Sequence, residues 1–306
     1  MNRSQFNKSV VPGLFSFMVD AYRRRNSESI WKQLVTVKES KRAYEESAYF
    51  GGLGLPAKKP ESQPIVYDDM VQGPTKRWTH ITYGLGTTIT EEMIEDNLYD
   101  DIPTEMADQT KEIGSSFAEL WEVLVHDIFN NGANTNNHTA GDGLAVFSAS
   151  HVSLRGGTWS NLLAPASDLS ATSLQTAIQT FEQTKDDSGK YQIIKPKFIL
   201  VNPQQEWKVR ELLDSQFDPE SANNAVNTIT SRKLKPIISP YYTDTDAFTL
   251  IADPANSKSG IIAFFRRKPK FAMDGDFDSG DAKFKGTARF SVEVNKPNNL
   301  FHSAGA

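Results

Sequence analysis

The chain has 306 residues, with 33 Lys and Arg against 38 Asp and Glu, a formal net charge of −5 and no cysteine; disulfides, thiolate metal sites, iron–sulfur clusters and thiol nucleophiles are excluded together. The mild acidity argues against a dedicated nucleic-acid reader, and a chain this long can bury a large core over about two domains without staples. No apolar run approaches the ~18 residues of a membrane span, and Val10 to Val19, the one stretch resembling a leader, is broken by Pro12 and Gly13 and followed by Asp20, Arg23, Arg24 and Arg25.

The first forty residues read as a polar arm with one amphipathic stretch, in which Phe15, Val19 and Tyr22 fall at helical spacing. The arginine triplet suits a helix C-terminus. From Ala43 to Tyr83 the breakers Gly51, Gly52, Gly54, Pro56, Pro60, Pro64, Gly73 and Pro74 forbid a long helix. Strand-like pieces lie between them, at Ile65-Val66-Tyr67 and from Arg77 to Tyr83. This predicts a long two-stranded excursion, a kind of segment that is usually functional or ordered against a partner.

Pro103 then opens a long helix, with Asp100 and Asp101 before its positive end. Met106, Ile113, Phe117, Leu120, Trp121, Leu124, Ile128 and Phe129 recur at steps of three and four, and Asn130-Asn131-Gly132 closes the run. A polar segment follows, and then a helix from Ser173 to about Thr184 capped by Ser170 or Thr172. After it come a strand at Phe198 to Val201 and a helix from Pro203 whose apolar side is Trp207, Val209, Leu212 and Leu213. Two strand-like runs, Ala247 to Ala252 and Gly260 to Phe265, are joined by a turn around Asp253-Pro254-Ala255-Asn256. Alternation returns at Ala288, Phe290, Val292 and Val294. The fold class is α+β.

Catalytic chemistry does not assemble. His80, His126, His138, His151 and His302 show no zinc spacing. Ser148-Ala149-Ser150-His151 sets a hydroxyl near an imidazole without the nucleophile-elbow motif. Gly52-Leu53-Gly54 and Gly84-Leu85-Gly86 each lack the third glycine of a dinucleotide fingerprint. Asp274, Asp276 and Asp278 begin a calcium-loop pattern that Ser279 and Lys285 fail to complete. The run from Glu91 to Asp101 reads as a solvated acidic surface. No catalytic, cofactor-binding or metal residue is assigned, and no cofactor is expected. An arm, a broken excursion and a long rod gain enough burial to offset their ordering entropy only when neighbours cover them, which is the anatomy of a self-assembling shell.

The segment from Asp142 to His151, then Gly156-Gly157, Trp159-Ser160-Asn161, Asp168-Leu169-Ser170, Leu200-Val201-Asn202-Pro203, Leu212 to Ser215 and Asp246 to Pro254, resembles the Mu-like prophage major head subunit family. Ser40 to Gly52 and Ile89 to Asp96 resemble the lead into that family's long helix. The resemblance implies the Hong Kong 97 capsid fold of tailed phages: an N-terminal arm at 1–42, an extended E-loop at 43–83, a P-domain at 84–135 and 266–306 with a spine helix at about 103–131, and an A-domain at 136–265. It implies a major capsid protein forming pentamers and hexamers of an icosahedral virion shell around double-stranded DNA, assembled in the host cytoplasm. The expected partners are other copies, a scaffolding protein, a portal, a decoration protein and weakly held DNA, with no membrane. A scaffold that is separate or already cleaved, and no covalent cross-links, are the further expectations. An encapsulin-type compartment and an unrecognised enzyme are the alternatives. Exposed apolar groups on the excursion, Tyr49, Phe50, Leu53 and Leu55, together with Trp78, are the candidate assembly contacts.

Overall fold

The computed structural model describes residues 11–90, 102–217, 226–254, 260–276 and 278–306. The acidic run from Glu91 to Asp101, the turn residues Ala255 and Asn256, and the side chains of Pro103 and Met106 lie outside the described residues.

Two four-stranded sheets organise the chain. The first has the order β1 (Thr36–Glu39), β10 (Ile261–Gly275), β11 (Ala282–Val294), β4 (Ile81–Ile89). β1 runs parallel to β10, and the other neighbours are antiparallel. One face of this sheet is apolar because β11 places Phe284, Ala288 and Phe290 at alternate positions. Across that face lies the long helix α3 (Ile102–Asn130), 29 residues and so roughly 43 Å of rod. Trp121 of α3 sits 3.5 Å from the Phe290 ring and 4.4 Å from Phe265, centroid to centroid. Gly286 has no side chain because a Cβ there would come within 2.4 Å of the Phe117 ring.

The arm is less free than its polarity suggests. Helix α1 (Val11–Ser27) packs along α3 at Gly114, where a Cβ would stand 2.2 Å from the Met18 carbonyl oxygen. Met18 is fully buried at this crossing. The short helix α2 (Trp31–Leu34) then stacks Trp31 on Trp121, with ring centroids 5.3 Å apart. The Glu122 carboxylate accepts hydrogen bonds from the backbone N–H of Ile30 (2.5 Å) and Trp31 (3.2 Å), satisfying donors at the start of α2. Arg23 and Arg25 pair with Asp20 and Glu28 at the end of α1, and Arg25 also donates to the Tyr241 hydroxyl.

The second sheet has the order β12 (Leu300–Ser303), β9 (Phe248–Ala252), β7 (Pro196–Val201), β8 (Lys235–Ile238). Both faces are buried, which explains its unbroken apolar runs. Ile199 and Val201 face helices α4 (Ala171–Glu182) and α5 (Glu206–Asp214), while Phe198 and Leu200 join the cluster around Ile128 and Phe129 of α3. The rod therefore ties the two sheets into one core. Of the two expected caps, Ser170 and Thr172, it is Ser170 that caps α4, in a reciprocal arrangement with Ser173.

Several expectations need correction. Pro203 opens a 3₁₀ turn (Pro203–Gln205) before α5, and Trp207 leaves the apolar side of α5, standing 80 % exposed while Val209, Leu212 and Leu213 are buried. The runs before and after Asp253 do not pair with each other: β9 enters the second sheet and β10 the first. The expected division at 265/266 falls inside β10, and β12 returns to the second sheet. Arg77 to Tyr83 is not one strand. It breaks at His80, whose buried ring meets Ser291 Oγ (3.0 Å) and Ser40 Oγ (3.1 Å) and pins the chain where it passes from one ladder to another.

Candidate assembly surface

The residues that suggested catalysis are absorbed by the fold. His151 is buried, with Nδ1 2.7 Å from Asp142 Oδ2, Nε2 directed at the Val146 carbonyl (3.3 Å) and its ring stacked on Trp159, so neither nitrogen is left for a serine hydroxyl. Burial raises the Asp142 carboxyl, but the His151 hydrogen bond and charge outweigh it and hold the group below its usual value. The aspartates of the half calcium loop close the β10–β11 hairpin, where Asp276 pairs with Lys283 and accepts from the Asp278 N–H. Among the described residues no group of three or more His, Asp or Glu side chains could hold a metal ion.

Chemistry of another kind is concentrated in the excursion. Strands β2 (Tyr44–Phe50) and β3 (Gln72–Thr79) pair antiparallel as a ribbon, and residues 51–71 between them carry no strand or helix. The ribbon's root is fixed to its own chain. Lys76 reaches Glu293 at 2.5 Å and the Thr139 carbonyl. Tyr49 packs against Lys296, whose ammonium lies 5.0 Å from its ring centroid and also pairs with the buried carboxylate of Asp187. Burial, with Asp187 and Asp142 nearby, pushes the Tyr49 hydroxyl up to about 12. Farther out, Arg155 clamps Asp68 at 3.0 Å and donates to the Asp69 carbonyl, while Gly54 N–H donates to Asp68.

Of the five candidate contacts, Phe50, Leu53 and Leu55 stand exposed and Tyr49 is half-buried at the root. Trp78 is a correction: it is buried within its own chain against Phe264, 4.9 Å between centroids, and anchors the ribbon to the first sheet. The contact reading did not include Ile65, Val66, Tyr67 and Met70, which are more than half exposed. Ile65-Val66-Tyr67 reads as a strand by sequence, yet it joins no ladder among the described residues.

A sequence profile of the family described as phage capsid protein matches residues 74–302. The chain belongs to the phage capsid protein family. The match spans β4, the rod, β10, β11 and the second sheet to His302, and leaves β1 and the arm outside it. Among solved structures, the capsid of cyanophage P-SCSP1u aligns with 91 % of this chain and 88 % of its own at 12 % identity and a TM-score of 0.58. The capsid of Myoviridae phage XM1 aligns over 89 % of each chain at 8 % identity and TM-score 0.54, and the virus-like particle from Pyrococcus furiosus over 95 % and 97 % at 11 % identity and TM-score 0.50. These likenesses establish the Hong Kong 97-type fold. No curated protein matches.

Proposed function

We propose that this shell protein is the major head subunit of a tailed phage of the Mu-like prophage type, whose copies join as pentamers and hexamers of an icosahedral virion shell around double-stranded DNA. The arm is residues 1–42, the E-loop 43–83, the P-domain 84–135 and 266–306 with the spine helix, and the A-domain 136–265, with β10 running across the last boundary. Assembly takes place in the host cytoplasm with a scaffolding protein and a portal, and the shell accepts a decoration protein. DNA is confined more than gripped, because a net charge of −5 leaves little attraction for phosphate.

One observation carries the mechanical part of the reading. A capsid-family scaffold carries a loop whose apolar side chains, Phe50 at 58 %, Leu55 at 78 % and Tyr67 at 91 % exposure, find no cover among the described residues. The E-loop of one subunit lies over the P-domain of the next, with Phe50, Leu53 and Leu55 as anchors and Tyr49 bracing the root. Deleting Gly51 to Lys59 is expected to leave a folded subunit or capsomer that no longer closes shells, seen by negative-stain electron microscopy beside light scattering. Shells at normal yield would refute this role.

A further inference from the structure

Two segments of this chain are suited to β-pairing and lack a strand partner among the described residues. The first is β4, at the edge of the first sheet and bonded to β11 on one side only. Its nine residues, Ile-Thr-Tyr-Gly-Leu-Gly-Thr-Thr-Ile, contain no charge and no proline, and its register with β11 runs without a bulge. Folded proteins guard such edges with short strands, lysines, prolines or bulges, because a free row of N–H and C=O groups templates another strand. The opposite edge, β1, is guarded in that way, with four residues that include Lys38 and Glu39. The second segment is Ile65-Val66-Tyr67, β-branched and aromatic, yet in no ladder and exposed by 65, 74 and 91 %.

Charge matches the two. Lys283, Lys285 and Arg289 of β11 lie directly opposite Thr88, Gly86 and Thr82 of β4 and share their face. That face is the one turned away from the rod, since Phe284, Ala288 and Phe290 point to the helix side; the ribbon's Trp78 covers it only over Phe264 and Ile262 of β10. Lys285 stands exposed opposite Gly86, while Lys283 is held by Asp276 and Arg289 donates to the His80 carbonyl (3.4 Å). The loop segment continues into Asp68 and Asp69 directly after Tyr67, and between Gln63 and Met70 it has no cation. Within its own chain Asp68 is held by Arg155.

We infer that residues 65–71 of one copy add as a strand to the free edge of β4 in a second copy, with the Asp68 carboxylate exchanging Arg155 for Lys285 of β11. This deepens the proposed overlap of the E-loop with the neighbouring P-domain and rests on it. It makes the backbone, more than any side chain, the recognised feature.

Val66→Pro and Val66→Ala separate backbone from side chain. Val66 is exposed and in no ladder, so both variants are expected to unfold at the wild-type midpoint. Val66→Ala should assemble within about twofold of wild type, and Val66→Pro, lacking one N–H, should lose about tenfold or more of its shell yield. In wild-type shells, hydrogen exchange at the β4 amides should slow about a hundredfold relative to the unassembled chain. Normal assembly of Val66→Pro, or β4 exchange that is the same before and after assembly, overturns strand addition. If the 51–59 deletion abolishes shells while Val66→Pro assembles normally, the overlap stands and strand addition falls; if both assemble normally, the overlap falls too.

Discussion

Acid should unfold this protein through its buried histidines before its carboxylates titrate. His126 lies fully buried on the spine helix, with Nδ1 2.7 Å from the Glu122 carbonyl and Nε2 without a partner. His302 lies on β12, stacked on Phe147 and within reach of Thr249 Oγ1 at 3.0 Å. Burial pushes both imidazoles down from 6.5 to about 4. A histidine whose folded pKa is depressed contributes stability that is present above its unfolded value and is lost as pH falls toward the folded one. Between pH 6.5 and 4.5 each should therefore remove roughly 2–3 kcal/mol, and the pair about 5 kcal/mol, a large share of the 5–15 kcal/mol typical of a folded domain. Two other groups act in the same window. His80, lowered by burial and by Arg289 and Arg266 against the pull of Glu45, adds a loss of the same sign. Glu122, raised by burial, takes up its proton more readily in the folded state and so acts with the opposite sign. Comparing variants with wild type cancels the His80 contribution; Glu122 Oε2 lies 3.6 Å from His126 Nδ1, so its share moves with that substitution, and His302→Asn alone gives the uncoupled difference. Urea titrations of the unassembled subunit at pH 7.5 and 4.5 should show the wild-type midpoint falling steeply, and His126→Leu with His302→Asn, whose amide can still meet Thr249, falling far less. The same pH dependence in wild type and double variant would refute the assignment.

Further outcomes follow from the packing. Gly114→Leu should drive α1 off the spine helix at Met18 and cost about 1–3 kcal/mol or more in urea unfolding, whereas Gly275→Ala, where a Cβ meets nothing nearer than 3.9 Å, should change stability by less than about 0.5 kcal/mol. Lys296→Met strands the Asp187 carboxylate, 3 % exposed, without its cation and should cost about 3–5 kcal/mol, with much of the loss recovered when Asp187→Asn is added. A double-mutant cycle showing no coupling between the two would remove Lys296 from the root of the E-loop.

What could be read from sequence, and what could not, divides along one physical line. Elements whose pattern is satisfied inside the chain were legible: the spine helix at Ile102–Asn130 follows from apolar steps of three and four, and α4 was expected from Ser173 with Ser170 or Thr172 as its cap, of which the structure selects Ser170. Strand pairing was not, because alternation fixes which face a residue takes and leaves the neighbour open, so β9 and β10 look like a hairpin and enter different sheets. Trp207 shows the limit of periodicity, since three buried residues, Val209, Leu212 and Leu213, already fill the face of α5 and the indole is left outside. The most instructive failure is Ile65-Val66-Tyr67. Its composition asks for a ladder, the described residues of the chain supply none, and the segment stays exposed while β4 keeps an uncharged edge. In a protein whose work is to pack against copies of itself, a local preference left unmet within one chain is the most direct pointer from sequence to interface, because the preference persists when the partner arrives.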